Sequence, residues 1–367
     1  MKTDFERELY CLGGLPFDSV TLKMASEKID NYCRHGQRCF LSTPNLNFLI
    51  ACQTDKAFRD SVINSDLNVA DGMPIIWMAK LLKLPLTERV AGSSLFDELG
   101  RKPDSDRPLK IFFFGGERGI ARKACESLAV THQNFICAGH IDPGFVDVSE
   151  MSKPEYINSI NDSSADILVI SLGAKKGQQW IVKNREQLTV PVVSHLGAVV
   201  NFVAGSVKRS PPWLQKFGLE WLWRIKEEPR LWYRYWNDAK VLVKLLLTRV
   251  IPYAFYLRSL KWEKASQKTV SVSVKQEPEK TVIFLQGRFS AANLEKIRST
   301  FNEVVQHKRD VVLDMAEVEY LDSAFLGQVL LLKKYLSRSD KRLSLDNVGN
   351  MCRQLLEYCG AEYLLSN

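Results

Sequence analysis

Several residues of this 367-residue chain combine chemical reactivity with a place just beyond an apolar, strand-like run. Asp71 stands in NVADGMP, after a short strand and before a helical pattern. A carboxylate there can act as a general base, taking the proton from an attacking hydroxyl, and Gly72 allows close approach of a substrate to the backbone. Asp-Gly is also a common turn dipeptide and Asp a good helix cap, so both readings stand. Thr43-Pro44-Asn45 follows RCFLS (38–42). Thr43 as cap with Pro44 at the first helical position is an ordinary helix start, and the free amides of such a start also attract anions. In FFFGGERG (112–119), Gly115 and Gly116 would let backbone amides approach a phosphate or ribose, although a full dinucleotide fingerprint is missing. LGAKKGQQWI (172–181) sets Lys175, Lys176, Gly177 and Gln178 past another strand, as ligand contacts or as a solvated helix start. His195 ends the last strand, a place more often structural than catalytic. There is no Ser/His/Asp order, HExxH or P-loop, and metal ligands do not cluster.

These residues need a scaffold that presents strand ends, and the pattern predicts one. Strands are expected at 38–42, 67–70, 109–115, 134–139, 165–173 and 190–197, separated by helical stretches at 73–83, 119–131 and 178–187. Such alternation predicts an α/β, Rossmann-like fold with a mainly parallel sheet covered on both faces. Ligands then sit at the carboxyl ends of the strands. From 206 the alternation is lost in a basic helical appendage, and EKASQKT (263–269) reads as a linker. From Val270 to Asn367 a ββαβαβα order predicts a second, separate α/β domain. The expected boundaries are therefore 1–205, 206–262, 263–269 and 270–367.

Charge singles out the appendage. Between Gly205 and Trp262 lie twelve Lys/Arg against four Asp/Glu, which accounts for the whole net charge of +8, together with six of the eight tryptophans. Cations interleaved with Trp and Tyr suit an anionic membrane surface or nucleic acid. A solvated helical face with a few core aromatics is the plainer alternative. No apolar run reaches ~18 residues, so a membrane span is not expected. The amino terminus lacks an apolar signal core. Eight cysteines scattered without a CxxC pair read as reduced thiols of a cytosolic protein.

Taken together, STPNLNFL, LNVADGMPIIW, RVAGSSLFDEL, IFFFGGERG, ADILVISLGAKKGQQWI and HLGAVVNFVAGSVKRSPPWLQKFGLEWLWRIKEEPRLWYRYW, spread over about 10–237, resemble the WecG/TagA/CpsF family of bacterial glycosyltransferases. The resemblance implies inverting transfer of N-acetylmannosamine or a related hexosamine from a UDP-sugar to a polyprenyl-diphosphate-linked acceptor. It also implies a role in exopolysaccharide or other cell-envelope synthesis, without a cofactor or metal. By it, Asp71 corresponds to the catalytic base, and Thr43, Asn45 and Arg89 line the site. Gly115, Gly116 and Gln178 are further candidate substrate contacts. Arg224, Arg230 and Arg234 match the appendage arginines, which are expected to dock on the membrane and close over the diphosphate. The location implied is cytoplasmic, peripheral on the inner face of the plasma membrane. Nucleic acid is not the expected partner, and a homo-oligomer is allowed. Asp104-Ser105-Asp106 has the letters of a metal motif but lies in a polar loop. Gly177 stands where the family commonly has Gln, and Asn201 where many relatives carry Asp.

Residues 268–367 resemble a STAS domain through YLDSAFLGQVLLL, with Asp322, Ser323, Ala324 and Gly327. In regulated members the second serine of a DSSGLG-like motif is phosphorylated, and that position is Ala324 here. Ser323 is the regulatory candidate that remains, with helix capping as its usual alternative. The resemblance implies a docking module for a protein partner. The rival to a transferase is a catalytically silent nucleotide-sugar-binding regulator that acts through this domain.

Overall fold

The structure, a computed structural model, describes residues 4–101, 107–211, 213–214, 218–260 and 270–366. The expected linker, Trp262 and Asp104–Asp106 lie outside the described residues. The chain forms two compact units interleaved along the sequence. One comprises Val20–Ile76 and Glu88–Lys240, the other the described residues of Met1–Ser19, Trp77–Thr87 and Val241–Asn367.

The first unit is built on a six-stranded parallel sheet. Its strands are β3 (Cys39–Ser42), β4 (Leu67–Asn68), β5 (Leu109–Gly115), β6 (Phe135–Ile141), β7 (Ile167–Ser171) and β8 (Val192–His195), in the order β4-β3-β8-β7-β5-β6. The apolar runs are continuous because both faces are covered. Ile111, Phe113, Ile167 and Val169 enter one core, while the alternate Phe112, Phe114, Leu168 and Ile170 enter the other. That is the period-two consequence of a strand buried on both sides. Helices at Leu22–Arg34, Leu46–Thr54, Lys56–Ile63, Gly92–Gly100, Ile120–Thr131, Pro154–Asp162 and Ala174–Asn184 connect the strands. Beyond β8 come Gly197–Val203, Glu220–Glu227 and Leu231–Leu245.

One expectation is corrected in this unit. The helix after β3 begins at Leu46 with Asn45 as its cap, its side chain accepting from Phe48 N at 3.2 Å. Thr43 is therefore not the cap. Cys125 and Cys137 face each other between helix Ile120–Thr131 and β6, with Cα atoms 5.3 Å apart. The helix lies along that strand, a proximity that a 12-residue separation does not reveal. The other six cysteines are free and buried.

The second unit holds the STAS region: β9 (Ser271–Gln276), β10 (Lys280–Phe289), β11 (Asp310–Leu321) and β12 (Leu343–Asp346), in the order β12-β11-β10-β9. Helices Glu295–Val304, Ser323–Ser337 and Asn350–Cys359 complete the expected ββαβαβα sequence. An amino-terminal hairpin, β1 (Leu9–Leu12) and β2 (Leu15–Asp18), also belongs to this unit. Helix Ser323–Ser337 is buried along nearly its whole circumference, as its all-round apolar sequence SAFLGQVLLL requires. Hairpin residues Leu9, Leu12, Leu15 and Phe17 are themselves buried. Contact with β1 is close enough that a Cβ on Gly327 would run into the Leu9 carbonyl. Tyr253, from helix Ile251–Leu260, is buried in the same unit, its ring stacked on Tyr358 at 5.7 Å.

Candidate active site

The carboxyl ends of the parallel strands gather most of the residues selected from sequence. Asp71 follows β4, and its amide donates to the Pro44 carbonyl at 3.0 Å, which ties the tips of β3 and β4 together. Its carboxylate accepts from the Gly92 amide, and burial lifts its pKa from 3.8 to about 6. Arg89 and Arg224 pull in the opposite direction, whereas Glu220 pushes it further up. A carboxyl poised near neutrality, with guanidinium groups beside it, can accept a proton and stabilise a phosphate in one place. Gly72 has φ +111°, a left-handed conformation that glycine adopts without strain. The nearest atom to a Cβ there would be Asn45 Cβ, so the Asp71 turn and the Asn45 cap adjoin. Thr43 is buried and touches the Cβ position of Gly92.

Arg89 is brought to this centre by a contact the sequence did not disclose. Its Nη2 donates to Glu220 Oε1 at 2.8 Å, so the start of the appendage helix is tied to Arg89, and both partners act electrostatically on Asp71. Arg224 follows one turn later, with its guanidinium 6.0 Å from the centre of the Phe202 ring. Arg234 is exposed and lies 5.0 Å from the Tyr235 ring centre. Asp238, four residues on and hence on the same helix face, hydrogen-bonds the Asn47 side chain. That bond brings the face bearing Arg234 to the helix capped by Asn45. Arg230 is exposed in the turn between the two appendage helices, and no bond ties it to Asp71.

Gly115 and Gly116 have φ +90° and +98°, so the turn after β5 takes its shape from glycine. A Cβ on Gly115 would come within 2.9 Å of the Ser171 carbonyl. Gln178 departs from expectation. It is 1% exposed, and its Nε2 donates to Ser42 Oγ at 2.9 Å, which in turn pairs with Ser65 Oγ at 2.7 Å. The first helical turn points this side chain into the fold, where it braces the end of β3 instead of facing a substrate. Lys175 pairs with Asp55 and Lys176 bonds the Val146 carbonyl. Gly177 packs so tightly on His195 that a Cβ would collide with the ring. Burial lowers the His195 pKa, and Nε2 bonds the Leu172 carbonyl, which holds a neutral ring between the tips of β7 and β8.

Ser323 is 2% exposed and its hydroxyl donates to the Cys11 carbonyl at 2.7 Å. In this structure the hydroxyl of the regulatory candidate is engaged and covered by the hairpin. Asp322 is the helix cap, accepting from Phe325 N at 2.9 Å. Among the described residues no group of three His, Cys, Asp or Glu side chains could hold a metal ion, and no helix is long and apolar enough to cross a membrane.

A strand-tip carboxylate beside guanidinium groups on a parallel α/β sheet has the chemistry to take a proton and to hold a phosphate. Residues 10–254 match the glycosyl transferase WecG/TagA/CpsF family, and the chain belongs to that family. Residues 272–366 match a STAS domain family described as Mlab, STAS domain. Both resemblances read from sequence are thereby borne out. The chain is similar to the N-acetylglucosaminyldiphosphoundecaprenol N-acetyl-beta-D-mannosaminyltransferase of Bacillus spizizenii, 25% identical over 229 residues, 62% of this chain and 87% of that protein. The enzyme of the same name from Staphylococcus aureus is 24% identical over 213 residues, 58% and 82% of the two chains. The unphosphorylated anti-sigma factor antagonist SpoIIAA aligns with 26% of this chain and 85% of its own, at 19% identity and a TM-score of 0.24, too slight a likeness to argue from.

Proposed function

We propose that this glycosyltransferase moves N-acetylmannosamine or a related hexosamine, with inversion, from a UDP-sugar to a sugar carried on a polyprenyl diphosphate. The observation that carries the reading is the Asp71 carboxyl, raised to about 6 and set under an arginine-bearing helix. Asp71 takes the proton of the acceptor hydroxyl as that oxygen bonds to the anomeric carbon. The bond from that carbon to the diphosphate breaks on the opposite face, and UDP leaves with the electron pair. Arg224 and Arg234, with fixed charge and forked donors, neutralise the phosphates without a metal ion. Thr43 and Asn45 shape the acceptor side, and Gly115 and Gly116 give the donor close access to backbone amides. The names of the two mannosaminyltransferases support this choice of acceptor and sugar.

The appendage is proposed to hold the enzyme on the anionic inner face of the plasma membrane during envelope polysaccharide synthesis. Helix Glu220–Glu227 has no buried residue, while Trp221, Leu222, Trp232, Tyr233 and Trp236 are exposed. Lys226 lies over the Trp223 ring and Lys240 over Trp236, the mixture of ring and cation that suits lipid headgroups. A protein partner of the STAS domain would engage a surface away from the covered Ser323 end.

The test is turnover with a panel of UDP-hexosamines and a short polyprenyl-diphosphate-linked sugar. Product formation that disappears in Asp71→Asn while donor binding persists supports the transferase. Donor binding without turnover for every pair supports a silent regulator instead.

A further inference from the structure

Glu220 opens the appendage helix and contacts Arg89, which lies just before helix Gly92–Gly100. The ion pair of 2.8 Å is partly enclosed, with the Arg89 side chain 14% and the Glu220 side chain 32% exposed. It joins residues 131 positions apart in sequence. Both partners act on Asp71, in opposite senses, and among the described residues Arg224 is a further charged group that acts on it. The pocket that Glu220 helps to line also carries Lys208, Arg209, Glu227 and Glu228, of which Arg209 is committed to an ion pair with Asp97.

An arginine beside an unshielded aspartate normally pairs with it, and the carboxylate then loses its affinity for a proton. We infer that Glu220 is a positioning residue of the transfer: it holds the Arg89 guanidinium beside Asp71 and keeps that cation from pairing with the Asp71 carboxylate. A second carboxylate there does what a hydrocarbon could not. It occupies the cation, and it repels negative charge on the base. The appendage thus completes the base in addition to bearing phosphate-binding arginines. This rests on the reading of Asp71 as the base.

Two measurements on the full-length protein test it. In Glu220→Gln the acidic limb of the kcat/KM profile is expected to move from about 6 toward lower pH by roughly one pH unit or more, with kcat at pH 7.5 several-fold lower, as Arg89 turns to Asp71. Glu220→Asp, which keeps the charge, is expected to return the limb toward its wild-type position. The second readout, carboxyl 13C NMR titration of Asp71 without substrate, needs no turnover. Its midpoint is expected to fall in Glu220→Gln by the same amount. An unchanged midpoint overturns the inference. Uniformly lowered activity with an unmoved pH profile overturns it as well, because a purely structural tie would behave in that way. If the wild type never turns over but the midpoint moves, the transferase reading fails and the Glu220 arrangement stands.

Discussion

Asp71→Asn should inactivate the enzyme and stabilise the fold at the same time. Burial moves this carboxyl from 3.8 to about 6, which at pH 7.5 corresponds to about 3 kcal/mol against the folded state. The side chain keeps some exposure, so roughly 2–3 kcal/mol is the expected net value. Because the folded pKa is raised, the stability associated with protonated Asp71 is fully present below 3.8 and is lost as the pH climbs through about 6. Asparagine retains an oxygen for the Gly92 amide and carries no charge to desolvate. In thermal melts the variant should therefore gain roughly 5–10 °C at pH 7.5. The advantage should shrink to about 1 kcal/mol at pH 4.5, while turnover falls at least about 100-fold. A variant that melts at or below the wild-type temperature at pH 7.5, or a gain that ignores pH, would refute the claim that burial sets the proton affinity of Asp71.

Other perturbations have equally definite outcomes. Ser323→Ala should cost about 1 kcal/mol through the lost bond to the Cys11 carbonyl. Ser323→Glu should cost more than about 3 kcal/mol, because a charge would be buried beneath the hairpin; denaturant melts distinguish the two, and a harmless Ser323→Glu would mean that this end opens freely. Gly177→Ala, pressed against His195, should cost about 1–3 kcal/mol by overpacking, measured in the same way. Replacing Trp232 and Trp236 together with Ala should lower co-sedimentation with anionic vesicles about tenfold or more and leave donor binding intact. Vesicle binding equal to the wild type would remove the membrane role of that face.

The strand pattern was readable because a doubly covered parallel sheet writes continuous apolar runs into the sequence. FFFG and ILVIS could hardly serve any other element, and both appear as β5 and β7. Asp71, Thr43 and Asn45 could be picked out because strand ends followed by glycine, proline or a cap residue leave a local signature. Glu220 left none, since its significance lies in a partner 131 residues away. Gln178 was not legible in the same way, because a polar residue after a strand can enter the crevice or the fold, and only helix phase decides between them; here it is buried against Ser42. The hairpin was missed despite its Gly13-Gly14 turn, both glycines having positive φ, because two four-residue strands are too short to show periodicity. The nearness of Cys125 and Cys137 similarly depends on how one helix lies along one strand.

The helix Ser323–Ser337 takes its cover from residues more than 300 positions earlier in the chain, and this constrains biogenesis. As the ribosome delivers the chain, Leu9, Leu12, Leu15 and Phe17 emerge more than 300 residues ahead of the surface that will bury them. Until that helix has been made those side chains remain wet, and the late loop closure makes this assembly slow relative to local helix formation. Fragments cut before the STAS region would leave an oily ribbon uncovered, so their poor recovery would report an orphaned β-hairpin and not a defect in the sugar-transfer sheet.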